Sequence, residues 1–196
     1  MTTNSQLANR LLETIKTDIL PLTEQGVAKG NKIFGAALLN KKDLSTFLAE
    51  TNNELENPLW HGEMHLLKRY YEIPEDQRPA PAELIFLSTH EPCSLCLSAI
   101  TWTGFDNFYY FFSHQDSKDS FAIPHDLKIL KEVFDVEPGG YRRENEFWTC
   151  RSIREVVEGT DNPSSYDPLI KNLAERYDAL SETYQQSKVS NNIPLN

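Results

Sequence analysis

Two short stretches, Trp60-His61-Gly62-Glu63-Met64 and Glu91-Pro92-Cys93-Ser94-Leu95-Cys96, constrain this chain more than any other part of it. Each reads as a loop that enters the first turn of a helix. His61 offers an imidazole nitrogen and Cys93 and Cys96 offer thiolates, a donor set that holds tetrahedral zinc with its fourth position open for water. An open position marks a catalytic metal site, and such a site needs a group that moves protons. Glu63 is placed for that. Residues i and i+2 do not share a helix face, so His61 and Glu63 converge only where the site sits over a helix end. Asn57 is the expected N-cap and Pro58 sits in the first turn, with the helix running through Met64, Leu66, Leu67 and Tyr70 to residue 71. Pro92 is expected to open the second helix in the same way. Cys93 and Cys96 then share one face of its first turn, where the positive end of the helix dipole favours thiolate.

Other readings leave more unexplained. A Cys-x-x-Cys pair is also a redox motif and His61 alone is also a hydrogen-bonded core histidine, but neither gives Glu63 anything to do. A closed structural zinc site takes a fourth Cys or His, for which Cys150, His65, His90, His114 and His125 are available. Cys150, in the run Phe147-Trp148-Thr149-Cys150, reads better as a small buried side chain. With 3 cysteines in all and a pair of them claimed by the metal, there is no disulfide framework, which points to a reducing compartment.

His-x-Glu followed by Pro-Cys-x-x-Cys is the signature of zinc nucleobase deaminases, and over roughly residues 30–130 the sequence resembles the cytidine deaminase-like superfamily. The resemblance implies an α/β fold, a three-layer α/β/α sandwich around a central mixed sheet of about five strands. It implies Zn2+ as cofactor, held by His61, Cys93 and Cys96, with Glu63 as the catalytic proton shuttle. It also implies a substrate-binding amide in the loop before the HGE helix, Asn52 or Asn53 with Asn52 favoured, and an aromatic over the base from Phe34 in Phe34-Gly35-Ala36. Trp102 resembles the bulky aromatic that follows the motif helix in the branch acting on free purines. In that branch a loop brings an acid down to the base, and Asp116, Asp119 and Asp126 are the candidates here.

Elsewhere the reading rests on periodicity. Leu7, Leu11, Ile15 and Ile19 recur every fourth residue up to Pro21, an amphipathic helix. Residues 33–39 form an apolar run between turn formers, a buried strand turning into a second at 45–49. The proline-bearing stretch 74–81 leads to a strand at 84–88. That strand, the second motif helix and a strand at 108–112 make a βαβ unit, for which a right-handed parallel crossover is the default. Residues 113–125 read as a polar loop at the carboxyl end of the last strand, where it is placed to close a pocket. A helix over 126–134, a break at Gly139-Gly140 and a strand or helix over 147–157 follow. Tyr166, Ile170, Leu173, Tyr177, Leu180 and Tyr184 alternate by four and three, a seam that packs back on the sheet or faces a second copy. The polar tail after Gln186 is expected to be disordered.

At 196 residues and 39% hydrophobic, the chain is long enough for one well-buried core and short for two. The reading divides it into a deaminase domain over 1–163 and a C-terminal helical extension over 164–196. There is no N-terminal apolar signal core and no run near the roughly 18 apolar residues of a membrane span, which reads as a soluble cytoplasmic protein without a membrane partner. Against 29 acidic residues stand 19 basic ones, which argues against structured nucleic acid, because holding one takes Lys and Arg on several phosphates. The expected partner is a small nucleobase or nucleoside, and a homodimer is left open. The function implied by the resemblance is a zinc-dependent hydrolytic deaminase that converts an exocyclic amine to a carbonyl with release of ammonia, on a guanine-like free base before cytosine. The alternatives are cytidine, cytosine or tRNA adenosine deamination, and a non-catalytic zinc-binding member of the fold.

Overall fold

The structure is a computed structural model that describes residues 2–136 and 140–195. The helix expected before Pro21 does not stop there. α1 (Asn4–Thr14) widens into a π turn over Ile15–Ile19 and continues as α2 (Leu20–Ala28). Pro21 has no N–H to give the preceding turn, and the wider turn absorbs that loss where a regular helix would break. Thr23 Oγ1 donates to Ile19 O at 3.2 Å, satisfying a carbonyl next to the irregularity. Gly30, with φ of 103°, ends the helix in the left-handed conformation that glycine adopts without strain.

β1 (Gly35–Asn40) and β2 (Thr46–Thr51) form an antiparallel hairpin, and β1 also pairs antiparallel with β3 (Leu84–His90). β3 runs parallel to β4 (Asn107–Phe112), which runs parallel to β5 (Thr149–Ser152), giving the order β2-β1-β3-β4-β5. The sheet is mixed and has 5 strands. α3 (Gly62–Glu72) and α4 (Ser94–Trp102) connect the central strands, followed by α5 (His114–Asp119), α6 (His125–Glu132), α7 (Ile153–Glu158) and α8 (Asp167–Ser187). The segment 147–157 is thus both strand and helix: β5 hands over to α7 at Ser152, whose hydroxyl caps the helix by accepting from Glu155 N. The expected loop 113–125 holds a short helix, because Ser113 and Asp116 form a reciprocal capping box. Of the break at Gly139-Gly140, Gly139 lies outside the described residues.

Strand alternation sorts the core into two layers. Ala36, Leu38, Leu84, Phe86, Phe108 and Tyr110 face α3 and α4 and pack with Leu66, Leu67, Tyr70 and Ile100. Ala37, Leu39, Ile85, Leu87 and Phe111 face the other way, toward Leu11, Leu12 and Ile15 of the first helix, Ile153 and Val156 of α7, and Leu173, Tyr177 and Tyr184 of α8. The α/β fold with helices on both faces is therefore present, and the C-terminal seam packs on its own sheet. The described part of the tail packs on the body as well: Asn191 Nδ2 donates to Gly30 O at 3.0 Å, and Ile193 is 6% exposed. No helix among the described residues is long and apolar enough to cross a membrane.

Candidate metal and catalytic site

β3 ends at His90 and delivers the chain to Pro92 and Cys93. Cys93 is the N-cap of α4, with Cys96 in its first turn, so both thiols sit at the positive end of that helix. His61 is likewise the N-cap of α3, with ψ of 161° and no capping bond from its own side chain, which is turned to the cysteines instead. These starts correct the sequence reading by several residues. Asn57 does not cap α3 but closes a turn by accepting from Leu59 N at 3.0 Å, and Pro58 and Pro92 both lie before their helices. A cap is where a side chain can leave the helix axis, and a candidate metal ligand takes that place in both helices.

The three donor atoms form a nearly regular triangle: Cys93 Sγ to His61 Nδ1 is 3.5 Å, Cys93 Sγ to Cys96 Sγ is 3.6 Å, and Cys96 Sγ to His61 Nδ1 is 3.7 Å. A tetrahedral zinc about 2.3 Å from sulfur and about 2.0–2.1 Å from nitrogen requires edges of about 3.6–3.8 Å, so the triangle fits that ion without rearrangement. Among the described residues this is the one such cluster, and none of the alternative fourth ligands joins it. His65 Nδ1 contacts Thr51 O at 2.9 Å, and His114 Nε2 donates to Pro92 O at 3.1 Å. Cys150, in β5, lies 3.7 Å from Tyr141 Oη and is buried in the α3/α4 layer.

Glu63 enters from the second position of α3 and is 4% exposed. Ser88 Oγ, from β3, donates to its Oε1 at 2.5 Å, and its Oε2 lies 3.4 Å from Cys96 Sγ. Burial, and then the nearby Cys93 charge, push the carboxyl above the usual carboxylate range. Between Glu63, His61, Cys93, Phe34, His90, Glu91 and Asp126 lies a cavity of about 20 Å³, room for a single water. A carboxylate that holds its proton more tightly than usual therefore faces the space where a water would meet the metal.

α3 can bring both His61 and Glu63 to this point because its first residue touches β1. A Cβ on Gly62 would lie 2.7 Å from Gly35 Cα and 2.9 Å from Gly35 N, and one on Gly35 would overlap Ile19 Cγ2. Gly62 thus lets helix and strand meet backbone to backbone, and Gly35 leaves room for Ile19.

Asn52 is 1% exposed, and both ends of its amide are engaged: Oδ1 accepts from Gly62 N at 2.5 Å and Nδ2 donates to Glu54 Oε2 at 2.8 Å. The resemblance pointed to it as a substrate contact; in this fold it fixes the start of α3 from behind. Asn53 bonds Glu56 and lies away from the cavity. Sequence reasoning missed Glu54. Its Oε1 lies 3.8 Å from His61 Nε2 and accepts from Lys32 Nζ at 2.9 Å. At 3.8 Å from Nε2, longer than a hydrogen bond, the carboxylate acts through its charge, favouring a proton on the outer nitrogen and so leaving the other nitrogen free for a metal. No spacing rule connects Lys32, Glu54 and His61, so their meeting is visible only in the fold.

Outside the small cavity opens a pocket of about 280 Å³, lined among others by Phe34, Lys32, Leu59, His125, Asp126 and the tail residues 193–195. Phe34 lines both spaces and is held edge-on against His90 at 4.6 Å. Of the loop acids, Asp126 lines both spaces, while Asp116 caps α5 and Asp119 bonds Gln115 at the surface. Burial raises Asp126, with help from the Cys93 charge, to about 7. Trp102 is not in the pocket. It ends α4, about 13 Å of helix rise from Cys93 at about 1.5 Å per residue, and is 90% exposed.

Comparison with known proteins agrees with this geometry. The family described as the cytidine and deoxycytidylate deaminase zinc-binding region matches residues 12–112. Among solved structures, guanine deaminase from Nitrosomonas europaea is similar at 19% identity with a TM-score of 0.54, over 88% of this chain and 84% of that one. Guanine deaminase from Bacillus subtilis is similar at 23% identity with a TM-score of 0.52, over 68% of this chain and 86% of that one. At these identities the likeness shows a shared fold. No curated protein matches the chain in sequence.

Proposed function

The chain belongs to the cytidine and deoxycytidylate deaminase zinc-binding family, and from that premise we propose that it is a zinc-dependent hydrolytic deaminase of a small amino-heterocycle, a free guanine-like base before cytosine. His61, Cys93 and Cys96 hold the metal, which supplies Lewis-acid activation of water near neutral pH. The observation that carries the reading is the carboxyl of Glu63, buried beside the ligand triangle on a cavity of about 20 Å³. Ser88 holds Oε1. Oε2, turned toward the ligands, is left to take a proton from water, pass it to the ring nitrogen and assist the departing amine. The balance is one water consumed, one C–N bond broken, one carbonyl formed and ammonia released.

The outer pocket supports a base. Phe34 offers a ring edge or face beside the cavity, and Asp126 offers a carboxyl at its rim. The pocket holds a single Lys or Arg, which is poorly suited to a phosphate chain, and the net charge of -10 argues against a folded RNA. That both named structural relatives are guanine deaminases supports guanine as the first base. The test is ammonia release by zinc-loaded protein from free bases and nucleosides, with the Glu63→Ala variant as control. Turnover of guanine that disappears in the variant is the expected result. Turnover of cytidine or deoxycytidine with none on any free base would reverse the order, and no ammonia from the whole panel would end the reading.

A further inference from the structure

The pocket wall contains a charge for which hydrolysis has no use. Lys32, in the coil before β1, has a side chain only 7% exposed, yet it lines the pocket of about 280 Å³ beside His61. An ammonium has three donors. Among the described residues one of these goes to Glu54 Oε1, at 2.9 Å, and no other hydrogen bond is made. Leaving the rest of a buried ammonium without acceptors is unfavourable, whereas an acceptor arriving in the pocket would complete it. Glu54 cannot swing to help, since Asn52 holds its second oxygen at 2.8 Å. The pair is thus held in place from the Asn52 side, and both of its members line the pocket.

We propose that Lys32 determines substrate choice by donating to a ring oxygen, so that the pocket selects amino-heterocycles that also carry an oxo group. A neutral carbonyl suits it better than a phosphate: Lys32 is the sole Lys or Arg lining the pocket, its charge is already matched by Glu54, and Asp126 adds a second carboxyl. This role falls to Lys32 because Asn52, the other candidate for a polar ring contact, has both ends of its amide engaged by protein. The inference rests on the deaminase reading and deepens it.

The test compares guanine with 2-aminopurine, the same ring and amine without the oxygen, by equilibrium binding to zinc-loaded Glu63→Ala protein. Guanine should bind about 10- to 100-fold more tightly, the range for a charge-assisted hydrogen bond, and adding Lys32→Met should bring the ratio near unity by weakening guanine alone. Should Lys32→Met fold poorly because Glu54 is left unpaired, Lys32→Met with Glu54→Gln removes both charges and reads the same ratio. Equal affinities before the lysine is changed, a preference that survives its loss, or tighter binding of guanosine monophosphate than of guanine each overturns the proposal. In those cases ammonia release by the wild type from any base leaves the deaminase reading standing. Binding of neither base, with no ammonia released from any compound, removes both.

Discussion

On one face of the sheet α3 and α4 point their first turns at a common spot, while on the other α1, α2, α7 and α8 lie against the strands and one another along their lengths. End-on convergence brings unsatisfied N–H groups and dipole ends together, and so favours thiolates and other anions. Contact along the helix sides removes apolar surface from water and does little else. The α3/α4 layer uses both modes: its first turns carry His61, Glu63, Cys93 and Cys96, and its later turns carry Leu66, Tyr70 and Ile100 into the core. Chemistry and stability are therefore separable by position along the same helices, and more so between the two faces.

Substitutions on each face should split activity from stability. Glu63→Gln is expected to cost about 100- to 10,000-fold in kcat while zinc content and melting temperature stay near wild type, as read by metal analysis and thermal denaturation. Loss of zinc in that variant would mean that Glu63 also builds the metal site. On the opposite face, Leu173→Ala should lower stability by about 2–5 kcal/mol in denaturant unfolding without altering zinc affinity. If its zinc affinity falls too, the two faces are coupled and the contrast fails.

Intermediate effects should come from the groups behind the ligands. Glu54→Gln is expected to weaken zinc binding by about 10- to 100-fold in competition with a chelator, with a smaller effect on melting of the metal-free protein. Asp126 gives a pH-dependent case. Its folded value of about 7 lies above its ordinary 3.8, so in metal-free protein its burial lowers stability progressively as pH rises between those values and fully above them. Asp126→Asn should be neutral at pH near 3.8 and stabilising above 7. A variant equally stable or less stable than wild type at high pH would show the carboxyl to be satisfied where it sits. The smallest effect is expected at Trp102→Ala, within about 0.5 kcal/mol in stability and with unchanged kcat/KM. A large fall in kcat/KM would return this exposed ring to the site, through a second copy of the chain.

What could be read without the fold follows the same division. The ligand triangle and Glu63 were readable because a local spacing encodes them, and the α8 seam because a helix repeats its buried face every three to four residues. Two parts were not readable for reasons of geometry. Helix starts were placed at Asn57-Pro58 and Pro92, where capping preferences are strongest, but a ligand claimed each cap instead. Asn52 and Trp102 were assigned by resemblance, which carries a residue type and not the direction its side chain takes. Lys32, Glu54 and Ser88 reach the site from a coil, a loop and a strand, and nothing in the spacing of 32, 54, 61, 63 and 88 announces that they meet.

The contact between Gly35 and Gly62 limits how this protein could be re-engineered. A methyl group at Gly62 would run into the backbone of Gly35, and one at Gly35 would run into Ile19 Cγ2, so a side chain at 62 pushes α3 off β1 and one at 35 displaces the first helix. A library that varies Lys32, Phe34 or Asp126 alters what the pocket holds and leaves the machinery intact. One that varies residues 35 and 62 searches barren ground. New specificities for this scaffold are thus reachable by small steps at the rim, while the convergence of His61 and Glu63 depends on Gly62, which has no side chain to vary.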